Sequence, residues 1–381
     1  MSGAPLPADR AARPPGDRMA EWGNDDLLIR ETTRIRLEAD FPGFLRVVDI
    51  PELRRVFETF DGVANLSRKR RQRDGLVAVA IAGAGATLSA VLPLVEPLGG
   101  TVAHWVFAFS AALSVFGLLW AITLSLSDRY KAAWLQHRLR TERLRQFYFQ
   151  LLLSDPELAT RAVTDDAALA EWRDRLQRPL KAFEAWLAEP MRSELSAVID
   201  DVNQRFAWQM EGWKQPRTLS GAVDLDAYLA MLRRRRIGVQ LNYVREKLAP
   251  GVQSPATRLA AVQISSWVLT FAIAFLTIAT AIVLFQQSQG AGSVTVRILS
   301  SVTALLGVLS IFIRVTAEGL QLKGDVERYS WYRDAIEDLD GRFNDRDPTA
   351  RLDILREMEA LSYRELREFL KLHQEARFSF G

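Results

Sequence analysis

Few residues in this chain have the type and spacing to do chemistry, and most of those sit beside long apolar runs. There are 0 cysteines, so disulfides, thiolate metal sites and a cysteine nucleophile are excluded. The 3 histidines, His104, His137 and His373, lie far apart in the sequence. His104 beside Trp105 reads as an interfacial belt residue, and the other two read as solvated residues on polar helix faces. The acidic stretch EDLDGRFNDRDP (Glu337–Pro348) lacks the ligand order of a calcium loop, and reads as a helix end near Gly341 followed by a turn. The small-residue string Ala82–Ala86 falls inside an apolar run, where no phosphate loop can form. Two basic clusters stand out, SRKRRQR (Ser67–Arg73) and RRRR (Arg233–Arg236). Their arginines, notably Arg68, Arg71, Arg233, Arg234, Arg235 and Arg236, are expected to contact lipid headgroups; a nucleotide phosphate is the alternative. No nucleophile elbow, zinc motif or carboxylate dyad is present. The chain reads as a protein without catalytic, metal or cofactor residues, not an enzyme.

The elements around these clusters are four apolar stretches paired as two hairpins. Gly75–Val95 and Thr101–Leu126 are joined by Glu96–Gly100, and Leu259–Phe285 and Ile298–Ile313 by Gln286–Arg297. Three reach the roughly 20 uncharged residues that cross a hydrocarbon core. The fourth needs Val294, Val296 and a snorkelling Arg297 to do so. Charged residues make up 25% of the chain and the mean hydropathy is -0.02, so the charge is concentrated outside the hairpins. A net charge of +3 over 381 residues gives no sign of a nucleic-acid binder.

Lys and Arg flank both hairpins on their open ends and are nearly absent from the two turns, which predicts turns outside and both chain termini in the cytoplasm. The predicted fold is an all-α membrane protein: two transmembrane hairpins, four spans, and a cytosolic helical bundle. The expected division is a largely disordered segment 1–40, a first hairpin unit 41–154, a helical connector 155–222, a second hairpin unit 223–345 and a C-terminal helix 346–381. Breaks within the connector are expected at Pro156, Pro179 and Pro190. Tyr329, Tyr332, Ile336, Leu339 and Phe343 recur at three- and four-residue steps, a coiled-coil-like seam.

Within the spans, Ala78, Ala82, Ala86 and Ala90 form a four-residue stripe of small side chains. Such a stripe admits a second helix closely, from the same hairpin or from a neighbouring protomer. Gln263, Ser266, Thr270 and Thr277 share a face of the third apolar stretch. They are either ordinary packing residues or the candidate lining of a water-filled path.

Several short pieces on either side of the hairpins carry a family resemblance. They are FPGFLRVVD (Phe41–Asp49), Trp134, Arg138, Thr141-Glu142 and Leu144-Arg145 around the first hairpin. Around the second they are Tyr228-Leu229, Arg236-Ile237, Gln240-Leu241, Tyr243, Tyr329, Trp331, Tyr332 and Arg333. With these pieces the chain resembles two tandem units of the SMODS- and SLOG-associating two-transmembrane (SLATT) effectors of bacterial defence systems. Where the family pattern favours Ala-Glu and Ala-Asp pairs, it has Thr141-Glu142 and Val48-Asp49. The resemblance implies an effector in the bacterial inner membrane, triggered by a nucleotide-signalling or sensor partner to form a pore or disrupt the bilayer; since one protomer offers only four spans, a homo-oligomer is expected. The resemblance supplies no catalytic residues. The alternative is a non-conducting membrane scaffold whose cytosolic helices recruit a partner protein.

Overall fold

The computed structural model describes residues 25–95, 97, 99–126, 129–188, 224–251, 254–286, 294–344 and 346–375. In chain order its helices are α1 (Glu31–Asp40), α2 (Leu45–Val48), α3 (Pro51–Val95), α4 (Gly100–Leu126), α5 (Arg129–Ser154), α6 (Pro156–Arg161) and α7 (Asp166–Ala188). Then follow α8 (Leu225–Arg233), a π-helical turn (Arg234–Gly238), α9 (Val239–Leu248), α10 (Pro255–Gln286), α11 (Val294–Gly319), α12 (Leu322–Phe343) and α13 (Pro348–Glu375). No strand occurs among the described residues. Segments of α3, α4, α10 and α11 are long and apolar enough to cross a membrane, and the fold is that of an all-α multi-pass membrane protein.

The longest element, α3, has 45 residues and extends about 68 Å at 1.5 Å per residue, so one rod serves bundle and membrane. Pro51 opens it, where the missing N–H costs nothing. Its first half buries Leu53, Phe57 and Ala64, at steps of four and seven. Its second half buries Gly75, Ala78, Val79 and Gly85. The entry to the second hairpin differs, because the chain breaks between α9 and α10. At the exit from α11, Gln321 adopts a left-handed backbone conformation with φ 54°, which ends the span before α12 begins.

Small residues set how the spans pack. A Cβ on Gly117 of α4 would lie 2.5 Å from the backbone nitrogen of Ala82, and one on Gly85 would lie 2.6 Å from the backbone nitrogen of Ser114. Only glycine permits that approach. Ser110 Oγ donates to the Gly85 carbonyl at 2.8 Å, which holds α3 and α4 in register. The two hairpins also touch: a Cβ on Gly83 would stand 3.0 Å from the ring of Phe312 on α11.

Outside the spans a single core joins both units. Phe147 and Phe183 stack at 4.1 Å, and Trp172, Tyr228, Ile336 and Met358 are buried in the same cluster. Two buried tyrosines of this core satisfy their hydroxyls: Tyr148 donates to the Val48 carbonyl and Tyr228 to that of Leu152, both at 2.8 Å. A smaller cluster of Trp134, Leu135, Leu139, Tyr363, Leu366 and Leu370 lies against Ala64.

Two expectations are corrected here. Within the segment expected to be largely disordered, residues 25–40 are folded: Leu27 and Leu28 are core residues and α1 follows them. Residues 1–24 lie outside the described part. The connector helix α7 runs through Pro179 without a break, because burial of Leu176, Leu180 and Phe183 on either side stabilises it. Pro190 and the rest of the connector lie outside the described residues. The seam on α12 forms as expected, with Tyr332, Ile336, Leu339 and Phe343 all buried.

Candidate functional site

The RRRR run lies where α8 passes into the π-turn, a local widening of the helix that recurs at functional sites. It divides the four arginines. Arg233 pairs with Asp340 at 2.7 Å and Arg234 with Asp40 at 3.1 Å near the surface. Arg235 and Arg236 are only 1% and 2% exposed, inside the bundle. Arg235 donates to the Tyr148 hydroxyl at 3.0 Å and to the Asp26 carbonyl. Arg236 grips Glu359 of α13 through two hydrogen bonds, at 2.5 and 3.0 Å, and lies over the ring of Phe149. The expected headgroup contact for Arg235 and Arg236 is therefore corrected, because the bundle core encloses both.

A second set of charges abuts the first. Arg145 lies 2.5 Å from Asp26, and Glu142 is held by Arg138 and Arg145. Gln240 donates to Asp26 at 3.2 Å and closes the circuit back to α9. This junction unites the N-terminal segment, α5, the π-turn and α13. Burial pushes the Glu359 carboxyl up to about 7 despite Arg236. Asp26 is likewise raised by burial, against three neighbouring arginines. Burial would also raise Glu142, but Arg138 and Arg145 overcome it and hold that carboxyl at about 2.

Beside the junction lies a polar cavity of about 470 Å³, walled by α3, α5, α9, α12 and α13. Tyr243 and Tyr329 meet on its wall, their hydroxyls 3.4 Å apart. Arg328 is paired with Asp325 at 2.9 Å and with Glu365. His373 corrects the expectation of a solvated histidine. It is buried against Trp134 and Phe369, 3.4 Å from Asp325, and burial lowers its basicity although Asp325 opposes this. No cluster among the described residues could hold a metal ion.

The remaining sequence-selected residues are scattered around this centre. Arg68 lines the cavity, and Arg71 lies over Trp134. Ala78 is fully buried and Ala82 meets Gly117, so this end of the stripe packs within the protomer; Ala86 and Ala90 are half-buried. Gln263, Thr270 and Thr277 are exposed and Ser266 half-buried. Thr270 and Thr277 return their hydroxyls to the carbonyls of Ser266 and Ile273 at 2.8 Å. These four line no path between the described helices of one protomer. Sequence reasoning missed Asp26, Glu359 and the cavity tyrosines as a group. Glu359 carried a usable signal: it occupies a core step in the series Leu352, Leu355, Glu359, Ser362, Leu366, where a carboxylate needs a buried partner. No family model, curated protein or solved structure matches this chain.

Proposed function

We propose that the chain is a membrane effector of a bacterial conflict system, which self-associates and opens or disrupts the inner membrane when its extramembrane bundle is triggered. The observation that carries this reading is that both hairpins are rooted in one bundle, joined by a buried ionic junction below and by the α3–α11 contact within the spans. A bundle built this way transmits a tilt to all four spans. The resemblance to SLATT effectors points the same way, with a nucleotide-signalling or sensor protein as the trigger. Self-association is supported by Gln263, whose exposed amide in α10 has no partner among the described residues and would gain one on a neighbouring protomer.

Induced expression is expected to depolarise bacterial cells, and Gln263→Leu to weaken this while membrane insertion persists. Purified protein that neither depolarises cells nor releases dye from liposomes would favour the scaffold. The scaffold reading has lost one support, since the α12 seam it would offer a partner is used inside the chain.

The inward orientation of both termini rests on the basic flanks. With 0 native cysteines, single substitutions report sidedness cleanly. An impermeant maleimide is expected to label Pro97→Cys in intact cells and Glu337→Cys only after permeabilisation. The reverse pattern would overturn the orientation.

A further inference from the structure

Lys and Arg side chains line the cavity in number, and the carboxylates among and behind them are gathered on only some of these cations. Among the lining cations, Arg138 has Glu142 and Asp61, Arg145 has Glu142 and Asp26, Arg236 has Glu359, and Arg328 has Asp325 and Glu365. Arg30, Arg68 and Lys247 also line it and have no carboxylate partner among the described residues. Asp25, the lining carboxylate without a cation, is engaged by the backbone amides of Ile29 and Arg30 at 2.7 and 2.8 Å. Neutral donors add to the cationic wall: the hydroxyls of Tyr243 and Tyr329, and the amide of Gln72.

The cavity also has a defined depth. Arg68 and Gln72 lie just before the first apolar stretch begins at Gly75, Lys247 lies in the last turn before α10, and Leu320 immediately follows α11. The wall is thus placed where the spans leave the hydrocarbon and phosphate groups are concentrated.

We propose that this cavity binds a phosphate group at the membrane–water boundary, through Arg68 and Lys247 with the Tyr243 and Tyr329 hydroxyls as further donors. Arginine and lysine together with neutral donors are the usual means of holding phosphate. Two sources carry that chemistry, a phospholipid headgroup and a soluble phosphate. The site stands whether or not the spans conduct, because it is read by binding alone.

The full chain, purified in lipid-free detergent, is titrated with inorganic pyrophosphate while its thermal midpoint is followed. In parallel it is placed in nanodiscs of phosphatidylcholine with and without phosphatidylglycerol. A rise in midpoint in the first arm identifies a soluble phosphate, and a rise only with phosphatidylglycerol identifies a headgroup. In the responding arm, Arg68→Gln/Lys247→Gln is expected to raise the half-saturating concentration at least about tenfold, the loss of on the order of 1.4 kcal/mol. Lys247→Gln alone is expected to give a smaller shift in the same direction, in case the double variant is misfolded. Arg245→Gln/Arg333→Gln removes the same charge outside the cavity and is expected to change nothing. No response in either arm, or an equal loss in both double variants, would overturn the site.

Discussion

Replacing Glu359 by alanine is expected to destabilise the bundle by about 3–5 kcal/mol, because it leaves the Arg236 guanidinium enclosed without its bidentate partner. The cost comes from the orphaned charge rather than from a large worth of the pair itself. The double variant Arg236→Met/Glu359→Leu, which removes both charges and keeps the volume, is accordingly expected to recover most of the loss. Thermal unfolding followed by near-ultraviolet circular dichroism separates the cases. A double variant no better than Glu359→Ala would mean that the pair does more than neutralise itself. The same residue sets a pH dependence. Its carboxyl moves from the ordinary 4.5 to about 7 on folding, so the folded state holds the proton more tightly. The resulting stabilisation is fully present below 4.5 and is lost as pH rises through 7, a change on the order of 3 kcal/mol. Glu142 has the opposite sign: held at about 2, it stabilises above 4.5 and ceases to as pH falls. The two windows do not overlap. Between pH 5 and 8 the Glu359 contribution therefore falls as pH rises, His373 with its lowered basicity opposes it, and Glu359→Gln is expected to shift the slope of stability against pH toward positive values. An unchanged slope in the variant would assign the pH dependence to other buried groups, Asp26 and His373 first among them.

The spans were legible because periodicity was not needed to find them; length and the absence of charge sufficed, and α11 begins at Val294 as the hydrocarbon thickness required. The α12 seam was legible for the opposite reason, since Tyr332, Ile336, Leu339 and Phe343 carry the helical period openly. The junction was hidden by its own residue types. A run of four arginines next to a span has an adequate explanation in membrane topology, and nothing local to it marks Arg235 and Arg236 as core residues. Their partners Asp26 and Glu359 lie 209 and 123 residues away, and charge complementarity at that separation has no sequence period. The Arg138–Glu142–Arg145 triplet was visible because it is local, at helical steps of four and three. The cavity is a property of five helices at once and could be read from none of them.

Substituting Gly117 is expected to have the largest effect within the spans. A Cβ there would meet the nitrogen, Cα and Cβ of Ala82 at 2.5, 2.8 and 2.9 Å, and two of those three atoms are backbone that no rotamer change can move away. The helices α3 and α4 must separate, which also strains the Ser110 bond to the Gly85 carbonyl. Overpacking of this kind costs about 1–3 kcal/mol for a methyl group, with Gly117→Leu beyond Gly117→Ala. Gly62 provides the internal contrast. It lies in α3, the helix that Gly117 meets, but outside the apolar stretch, and an added Cβ meets nothing within 4 Å. Gly62→Ala is therefore expected to gain about 0.5–1 kcal/mol from the lower helix cost of alanine. Unfolding in a denaturing detergent series, with the bundle's aromatic signal followed separately, distinguishes local opening of the hairpin from global loss. If Gly117→Ala were as innocuous as Gly62→Ala, the close approach of α3 and α4 would not be what holds the hairpin. A rigid path from bundle to membrane would then have to run through the Gly83–Phe312 contact between the hairpins.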